Sequence, residues 1–342
     1  MEFDVITIGS ATRDAIFKSK EFKTIESAEF KTGKALAVAL GSKIKIDEVN
    51  FTTGGAATNA ATTFARQKLK TSAIFRIGND VSAAAIKEEM LKENIDISFF
   101  QTDEKIATAY SVVLEENHGE RTILNYRGAN ENLSPEEISW GKFSTKWFYL
   151  TSLSGNLKFL ENAVKNAKQN NSFIAWNPSS EDLKLGLNAL LPYLKHINVF
   201  LANQEEVSAL FNIPYNDINV IFKKFDEIID GIAIITKGPD GSLASDGKYI
   251  YSAGIFKEKE IADRTGAGDA FGSGFIAGLI HKNYNPSTND GTASTDKIKY
   301  ALTLASANAT SKVEHIGAKF GLLTKEQFEN SERFKNLPIE II

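Results

Sequence analysis

Asp263 and Asp269 flank a turn of very small residues in the stretch D-R-T-G-A-G-D. Apolar residues at helical spacing follow Asp269, so the sequence predicts a helix that begins at this turn. The bare backbone of Gly266, Ala267 and Gly268 can direct N–H groups towards an anion, and the helix start adds partial positive charge. A carboxylate beside such an anion hole can take a proton from a hydroxyl while the hole stabilises charge on a transferred group. The pattern therefore predicts phosphoryl transfer to an alcohol, with Asp269 as the general base.

A second stretch of small residues begins at Gly54 and Gly55 and continues into an alanine-rich predicted helix that carries Asn59. Small residues let another group approach the backbone closely, and the Asn59 amide offers both donors and an acceptor. These properties suit the hydroxyl groups of a sugar. On local grounds alone, a Gly-Gly turn followed by close helix packing explains the pattern equally well.

Two further polar stretches come directly after predicted strands. Asn203 and Glu206 follow the strand 199–202, and oxygen-bearing side chains at this end of a parallel strand face the crevice where α/β sheets bind ligands. Mg²⁺ prefers oxygen ligands, but an Asn cap followed by glutamates also starts many ordinary helices. The stretch 236–241 follows another strand and, on local grounds, predicts only a turn.

Taken together, these stretches resemble the signatures of the ribokinase (PfkB) family of carbohydrate kinases. The stretch 263–269 matches D-[TR]-x-G-A-G-D, and the other stretches resemble the family's Gly-Gly helix, N-x-x-E and T-x-G-x-x-G patterns. The resemblance extends from Asp4 to about Leu323, with the motifs in the family order. It implies an α/β fold, a ribokinase-like three-layer α/β/α core with a mostly parallel sheet, plus a small β-sheet lid.

The resemblance also implies a role for each candidate residue. Asp269 is the base, and the anion hole is formed by Gly266, Ala267 and Gly268. The acceptor is bound by Asp14, Gly54, Gly55 and Asn59. ATP is bound by Thr236, Lys237, Gly238, Gly241 and Asn308, although close helix packing would equally explain Asn308. Asn203 and Glu206 hold Mg²⁺ through water, and Asp263 is a candidate site for a monovalent cation such as K⁺.

The acceptor is left open between two classes. Ribokinase itself usually has a glutamate after the strand that corresponds to 147–150, whereas this chain reads T-S-L-S-G there. A sugar, as in ribokinase, fructokinase or ketodeoxygluconate kinase, is the first expectation, and a nucleoside, as in an adenosine-like kinase, is the alternative. A non-catalytic ligand-binding sensor on the same fold is the rival outside enzymes.

Composition narrows the function classes further. The chain of 342 residues has no cysteine, which excludes disulfides, thiolate metal sites and cysteine nucleophiles. A net charge of −4 argues against nucleic acid as a partner, and no apolar run approaches the length of a membrane span. The N-terminal residues show no basic segment typical of a signal peptide, so we expect a cytoplasmic protein. Neither G-x-G-x-x-G after the first strand nor a P-loop motif occurs, which disfavours dinucleotide-dependent oxidoreductases and P-loop kinases.

Short apolar runs alternate with helical patterns along the whole chain, which predicts a single domain over residues 1–342 with a largely parallel sheet. The predicted strands are 5–8, 73–77, 147–150, 173–176, 199–202 and 232–236. The predicted helices are 56–67, 83–94, 157–168 and 205–211. Two segments break this rhythm, at about 15–53 and 98–127, and the second predicts a β-hairpin with its turn at 116–120. We interpret both as lid segments, and the resemblance implies a homodimer through the lid strands.

Overall fold

The computed structural model of the chain describes residues 1–30, 33–116, 121–286 and 292–342. The turn predicted at 116–120 lies, from residue 117 onwards, outside the described residues. The strands, numbered in chain order, are β1 (Glu2–Ile8), β2 (Thr12–Lys18), β3 (Lys23–Glu26), β4 (Lys34–Ala37), β5 (Glu48–Gly54), β6 (Thr71–Ile74), β7 (Arg76–Gly78), β8 (Gln101–Asp103), β9 (Tyr110–Glu115), β10 (Arg121–Tyr126), β11 (Ser144–Thr151), β12 (Phe173–Asn177), β13 (Val199–Asn203), β14 (Ile232–Thr236), β15 (Ser242–Ser245), β16 (Ile250–Ala253) and β17 (Ile339–Ile341).

The helices alternate with the strands of the core, as the apolar patterns predict. They are α1 (Ala56–Arg66), α2 (Val81–Lys92), α3 (Leu157–Asn170), α4 (Ser180–Leu183), α5 (Leu187–Leu194), α6 (Gln204–Phe211), α7 (Ile218–Ile228), α8 (Ala267–His281), α9 (Thr292–Val313) and α10 (Lys325–Glu329). Within the described ranges, no helix is long and apolar enough to cross a bilayer.

The large sheet has nine strands within the described residues, in the spatial order β17-β16-β15-β14-β13-β12-β11-β1-β6. Six neighbouring strands of this order pair in parallel, namely β14, β13, β12, β11, β1 and β6. At the other edge β15, β16 and β17 add antiparallel pairs. Parallel strands joined by helices place all their carboxyl ends at one edge of the sheet, where ligand sites of α/β proteins form. The residues after β12, β13 and β14 therefore lie side by side.

The large sheet is buried on both faces, which explains why its strands are continuous apolar runs. On β11, Phe148 and Leu150 pack in a core with α3, α5 and α7, whereas Trp147 and Tyr149 pack in a second core with α8 and α9. Successive side chains of a strand point to opposite faces, so one strand contributes to both cores. The result is the predicted α/β/α arrangement, with α8 buried between the sheet, α1 and α9.

A smaller sheet stands apart from the large one, in the order β10-β9-β2-β5 among the described strands. β2 pairs antiparallel with β5 and parallel with β9, and β9 and β10 form the predicted hairpin ladder. Below we call these four strands the small sheet. β3 and β4 form a separate antiparallel pair.

One predicted strand is wrong in its extent. The segment 73–77 is divided at Phe75 into β6, which pairs with β1 in the large sheet, and β7, which pairs with β8 in a two-stranded ladder. Ile74, Phe75 and Ile77 are buried and Arg76 is partly buried, so the mostly apolar run does not indicate that its second half pairs with another strand.

Candidate active site

The start of α8 lies between two clefts. Gly266 adopts a left-handed conformation with φ of 78°, and a Cβ atom there would lie 3.0 Å from the Ala318 carbonyl oxygen. The glycine therefore allows the sharp entry into α8, which begins at Ala267. A Cβ atom at Gly268 would meet no atom within 4 Å, so the backbone at this point is open to a ligand.

The two clefts share residues at this point. The first cleft, of about 230 Å³, is bordered by Gly238 and Gly241 of the turn after β14 and by Ala267 of α8. The second, of about 280 Å³, contains Asp269 together with residues after β11, β12 and β13. Thr236 and Gly268 line both clefts. The N-terminal end of α8 therefore lies at the boundary between the two clefts.

Asp269 is half-buried in the second cleft and is held from one side. Asn59 of α1 donates a hydrogen bond from Nδ2 to Oδ2 of Asp269 at 2.8 Å. Burial raises the pKa of Asp269 above that of an ordinary aspartate, and the Asn59 bond partly opposes this rise. The Asn59 Oδ1 atom is buried and has no hydrogen-bond partner among the described residues. The geometry thus combines a carboxylate of raised pKa with a helix start whose backbone is open at Gly268, whereas the Ala267 N–H donates to the Arg264 carbonyl at 3.2 Å.

Asp14 and Gly54 face each other where the small sheet joins the core. A Cβ atom at Gly54 would lie 2.2 Å from Asp14 Oδ2, so this glycine makes room for the carboxylate. Burial raises the pKa of Asp14 to about 6, against the opposing influence of the Lys319 charge and a hydrogen bond with Ser111. Asp14 also lines a cavity of about 60 Å³ between the small sheet and the 263–269 stretch. Gly55, the residue before α1, follows directly, so the predicted acceptor residues are neighbours.

The two predicted Mg²⁺ residues lie together at the second cleft and also cap α6. Asn203 Oδ1 accepts from the Glu206 backbone N–H at 2.8 Å, and Glu206 Oε2 accepts from the Asn203 N–H at 2.9 Å. This reciprocal cap uses one oxygen of each side chain. Among the described residues no group of three or more metal-ligating carboxylates or histidines occurs. The pair fits a Mg²⁺ ion that keeps most of its water, since such ions need few protein ligands.

Comparison with known proteins agrees with this arrangement. The pattern of "pfkB family carbohydrate kinase" matches residues 3–325. The chain belongs to this family. Ribokinase of Dictyostelium discoideum is 23% identical over 265 residues, covering 71% of this chain and 82% of that protein.

Solved structures agree with the fold. The nucleoside kinase of Methanocaldococcus jannaschii has a TM-score of 0.73 at 20% identity and covers 97% of this chain and 98% of its own. Arabidopsis thaliana ribokinase, complexed with ribose and ATP, has a TM-score of 0.72 at 19% identity, covering 96% of this chain and 97% of its own. The predicted family, α/β fold and kinase class are confirmed.

The structure does not bring every predicted nucleotide residue of this kinase to the first cleft. Asn308 is fully buried, and its amide donates to Ala270 O at 2.8 Å and accepts from the Leu323 N–H at 2.9 Å. The close helix packing considered as the alternative accounts for this residue. Lys237 does not line the cleft either, although its neighbours Thr236 and Gly238 do.

Sequence reasoning did not identify Arg264 as a candidate. It is exposed, lines the first cleft beside Gly268, and has no carboxylate partner among the described residues. Its position inside the D-R-T-G-A-G-D stretch was the available signal, because a guanidinium beside an anion hole suits phosphate.

The surroundings of Asp263 were also not foreseen. Arg121 of β10 forms an ion pair with the Asp263 carboxylate, and the buried Lys312 of α9 lies 3.8 Å from Asp263 Oδ2. Burial by itself raises the pKa of Asp263, but the Lys312 charge and hydrogen bonds from Thr265 and Gly317 outweigh it and lower the pKa below its ordinary value. Asp263 is therefore an ionised carboxylate held among cations, in contrast to Asp269.

Proposed function

We propose that this kinase transfers the γ-phosphoryl group of ATP to a hydroxyl group of a small sugar. The observation that carries the proposal is the position of Gly268, which lines both clefts one residue before Asp269. ATP in the first cleft would direct its terminal phosphate to the start of α8, and an acceptor in the second would meet it there. Such a shared boundary suits transfer between two bound molecules.

Most of the predicted residues have a role in this scheme. Asp269 takes the proton of the acceptor hydroxyl, and its raised pKa makes it a stronger base than an ordinary aspartate. The N–H groups of Gly266, Ala267 and Gly268 stabilise negative charge on the phosphoryl group as it moves. Thr236, Gly238 and Gly241 border the nucleotide, and Arg264 binds its phosphates. Asn203 and Glu206 would hold Mg²⁺ through water, and that ion would supply charge neutralisation of the phosphates.

The acceptor side favours a sugar over a nucleoside. The described residues that line the second cleft, where the acceptor would meet Asp269, include polar side chains such as Thr151, Asn177 and Ser179 and no aromatic ring. Such polar side chains suit hydroxyl groups, whereas a nucleobase needs a wider apolar or aromatic surface. In this scheme Asp14, Gly54, Gly55 and Asn59 bind the acceptor from the side of the small sheet, and Asn59 also donates to Asp269. In this scheme the small sheet acts as a lid that excludes water as a competing acceptor.

An acceptor panel tests the proposal. ADP release from Mg-ATP is measured with ribose, fructose, 2-keto-3-deoxygluconate, fructose phosphates, adenosine, guanosine and cytidine. We expect one sugar to raise the rate well above that without acceptor. A response to a nucleoside alone would replace the sugar by the alternative acceptor class. If ATP binds in calorimetry but no compound gives a response, either the acceptor lies outside the panel or the protein is the ligand-binding sensor. If ATP does not bind either, the kinase role of these clefts is contradicted.

The outer face of the small sheet supports a homodimer. Ladder partners share a face, so Phe51 of β5 and Leu124 and Tyr126 of β10 lie on the face opposite Asp14. More than half of the surface of each of these three side chains is exposed. Phe51 lies on one edge strand of this face and Leu124 and Tyr126 on the other, and a second copy of the sheet offers a matching apolar face.

A further inference from the structure

The family resemblance implies a monovalent cation beside Asp263, and the environment of this residue tests that expectation. Lys312 lies in the last turn of α9 and is fully buried. Its Nζ donates to the backbone oxygen of Asp263 at 2.6 Å and to that of His315 at 3.2 Å, and lies 3.8 Å from Asp263 Oδ2. Backbone carbonyl oxygens are also the ligands that replace water around K⁺ in proteins. The ammonium group therefore already has the contacts that such a cation would make.

We propose that the Lys312 ammonium group takes the place of a monovalent cation at Asp263, so that this kinase works without K⁺. The residues present do not fit an additional ion. Arg121 already pairs with the same carboxylate, so a K⁺ ion would be a third positive charge around one aspartate. Like charges at such short separations repel strongly in a buried site.

The built-in cation acts on the anion hole through the backbone. Thr265 donates to Asp263 Oδ1 from its N–H at 2.8 Å and from its hydroxyl at 2.7 Å, and Gly266 follows at once. The N–H groups of residues 262 and 263 also donate to the Val313 carbonyl at the end of α9. Lys312 thus fixes the loop that sets the direction of the first N–H groups of α8. It is a positioning residue rather than a catalytic one.

The test compares salts at equal ionic strength, because simple screening is then the same in each. Turnover and melting temperature are measured in the chlorides of K⁺, Na⁺ and tetramethylammonium, for the wild-type kinase and for Lys312→Ala. The wild type should be indifferent to the cation in both readouts. Lys312→Ala should be about tenfold slower in tetramethylammonium, which corresponds to one lost charge-assisted hydrogen bond, and K⁺ should restore much of the rate and raise the melting temperature.

Two further variants keep the outcome clear. Lys312→Met retains the apolar stem and removes only the charge, so it should respond to K⁺ even if the alanine variant folds poorly. Lys319→Met is the matched control, because Lys319 is also buried but its contacts are with Thr53 and Glu89. It should lose stability without any response to K⁺.

Either of two results would overturn the inference: stimulation or stabilisation of the wild type by K⁺, or failure of both Lys312 variants to gain rate or stability from K⁺. The turnover measurement rests on the proposed function, whereas the melting temperature can be measured without any acceptor. Absence of turnover in every salt would therefore count against the proposed function alone.

Discussion

At the scale of single residues, the site depends on two aspartates six positions apart with opposite environments. Asp269 is half-buried at a cleft with one neutral hydrogen-bond donor, and burial raises its pKa. Asp263 lies between Lys312 and Arg121, and its pKa is lowered. Environments that separate the pKa values of two carboxyl groups assign their roles. The environment of Asp269 suits a base that exchanges protons, and the environment of Asp263 suits a carboxylate that stays ionised and holds the loop through its ion pairs.

The raised pKa of Asp269 predicts the acid side of the pH profile. The base must be ionised, so kcat should fall as the pH is lowered through the raised pKa, at a higher pH than an ordinary aspartate would give. The measurement is kcat between about pH 4 and 8 with saturating ATP and acceptor. Asp14 also has a raised pKa, of about 6, so Asp14→Asn serves as the control. In that variant the acid limb of kcat should persist, and its disappearance would assign the limb to Asp14.

Arg264 predicts a specific effect on nucleotide binding. Arg264→Ala should raise the KM for ATP roughly tenfold, the low end for a lost charge-assisted hydrogen bond at an exposed site. The KM for the acceptor should change little, because Arg264 lines the first cleft only. Steady-state kinetics with each substrate varied in turn measure both values. Arg264→Lys is the matched variant, and it should recover part of the ATP affinity because it keeps the charge. An unchanged KM for ATP in the alanine variant would remove Arg264 from the nucleotide site.

At the scale of elements, the site depends on how α8 is held. α1 supplies Asn59 to its first turn, and α9 packs along its length through small residues such as Ala301 and Ala305. Asn308 ties the three helices together, because its amide contacts Thr63 of α1 and the Ala270 carbonyl of α8. The direction of the anion hole is thus set by packing some distance from the clefts.

Asn308 therefore predicts a loss of stability rather than of ATP binding. Asn308→Ala leaves the buried Leu323 N–H without its acceptor and removes the hydrogen bonds of Asn308 to Ala270 and Thr63, at a cost of about 2–4 kcal/mol in the free energy of unfolding. Urea denaturation measures this cost, and calorimetry on the folded variant should give an unchanged ATP affinity. Ser306→Ala is the control, because Ser306 lies two residues before Asn308 in α9 and its side of the helix lines the first cleft. A large loss of ATP affinity with little change in stability for Asn308→Ala would restore the role expected from the family resemblance.

The sequence predicted those parts of the fold that depend on local pattern. The alternation of strands and helices and the turn before α8 follow from apolar periodicity and residue size. The break at Phe75 was not predictable, because an apolar run does not reveal with which sheet each half pairs. The roles of Asn308 and Lys312 depend on helices brought together from distant parts of the chain. A lysine among alanines and serines in α9 gave no local sign that it would meet Asp263, 49 residues away.

At the scale of the whole molecule, the small sheet has two different faces. Its inner face carries Asp14, Ser111 and Arg121 towards the 263–269 stretch, and its outer face carries Phe51 and Leu124. Arg121 links the small sheet to the loop that leads into the anion hole. The same four strands could therefore cover the acceptor and pair two copies of the chain.

The apolar outer face of the small sheet predicts a homodimer, and a single charged substitution on this face should disrupt it. Leu124→Glu should shift the protein from dimer towards monomer, because burying an unpaired carboxylate in an apolar interface is strongly unfavourable. Sedimentation equilibrium gives the mass of each species. Leu191→Glu is the matched control, since Leu191 is also exposed but lies on α5, outside the small sheet. A wild-type protein that is monomeric at all concentrations would contradict the dimer proposal.

The central claim is that Asp269 is the base for transfer between the two clefts, and Asp269→Asn tests it most directly. The amide keeps the size of the side chain but removes the carboxylate that would accept the proton. With the acceptor found in the panel, ADP release should fall by at least about three orders of magnitude, in the range that loss of general base catalysis allows. Calorimetry should still give an ATP affinity close to that of the wild type. Turnover near the wild-type rate in Asp269→Asn would contradict the account.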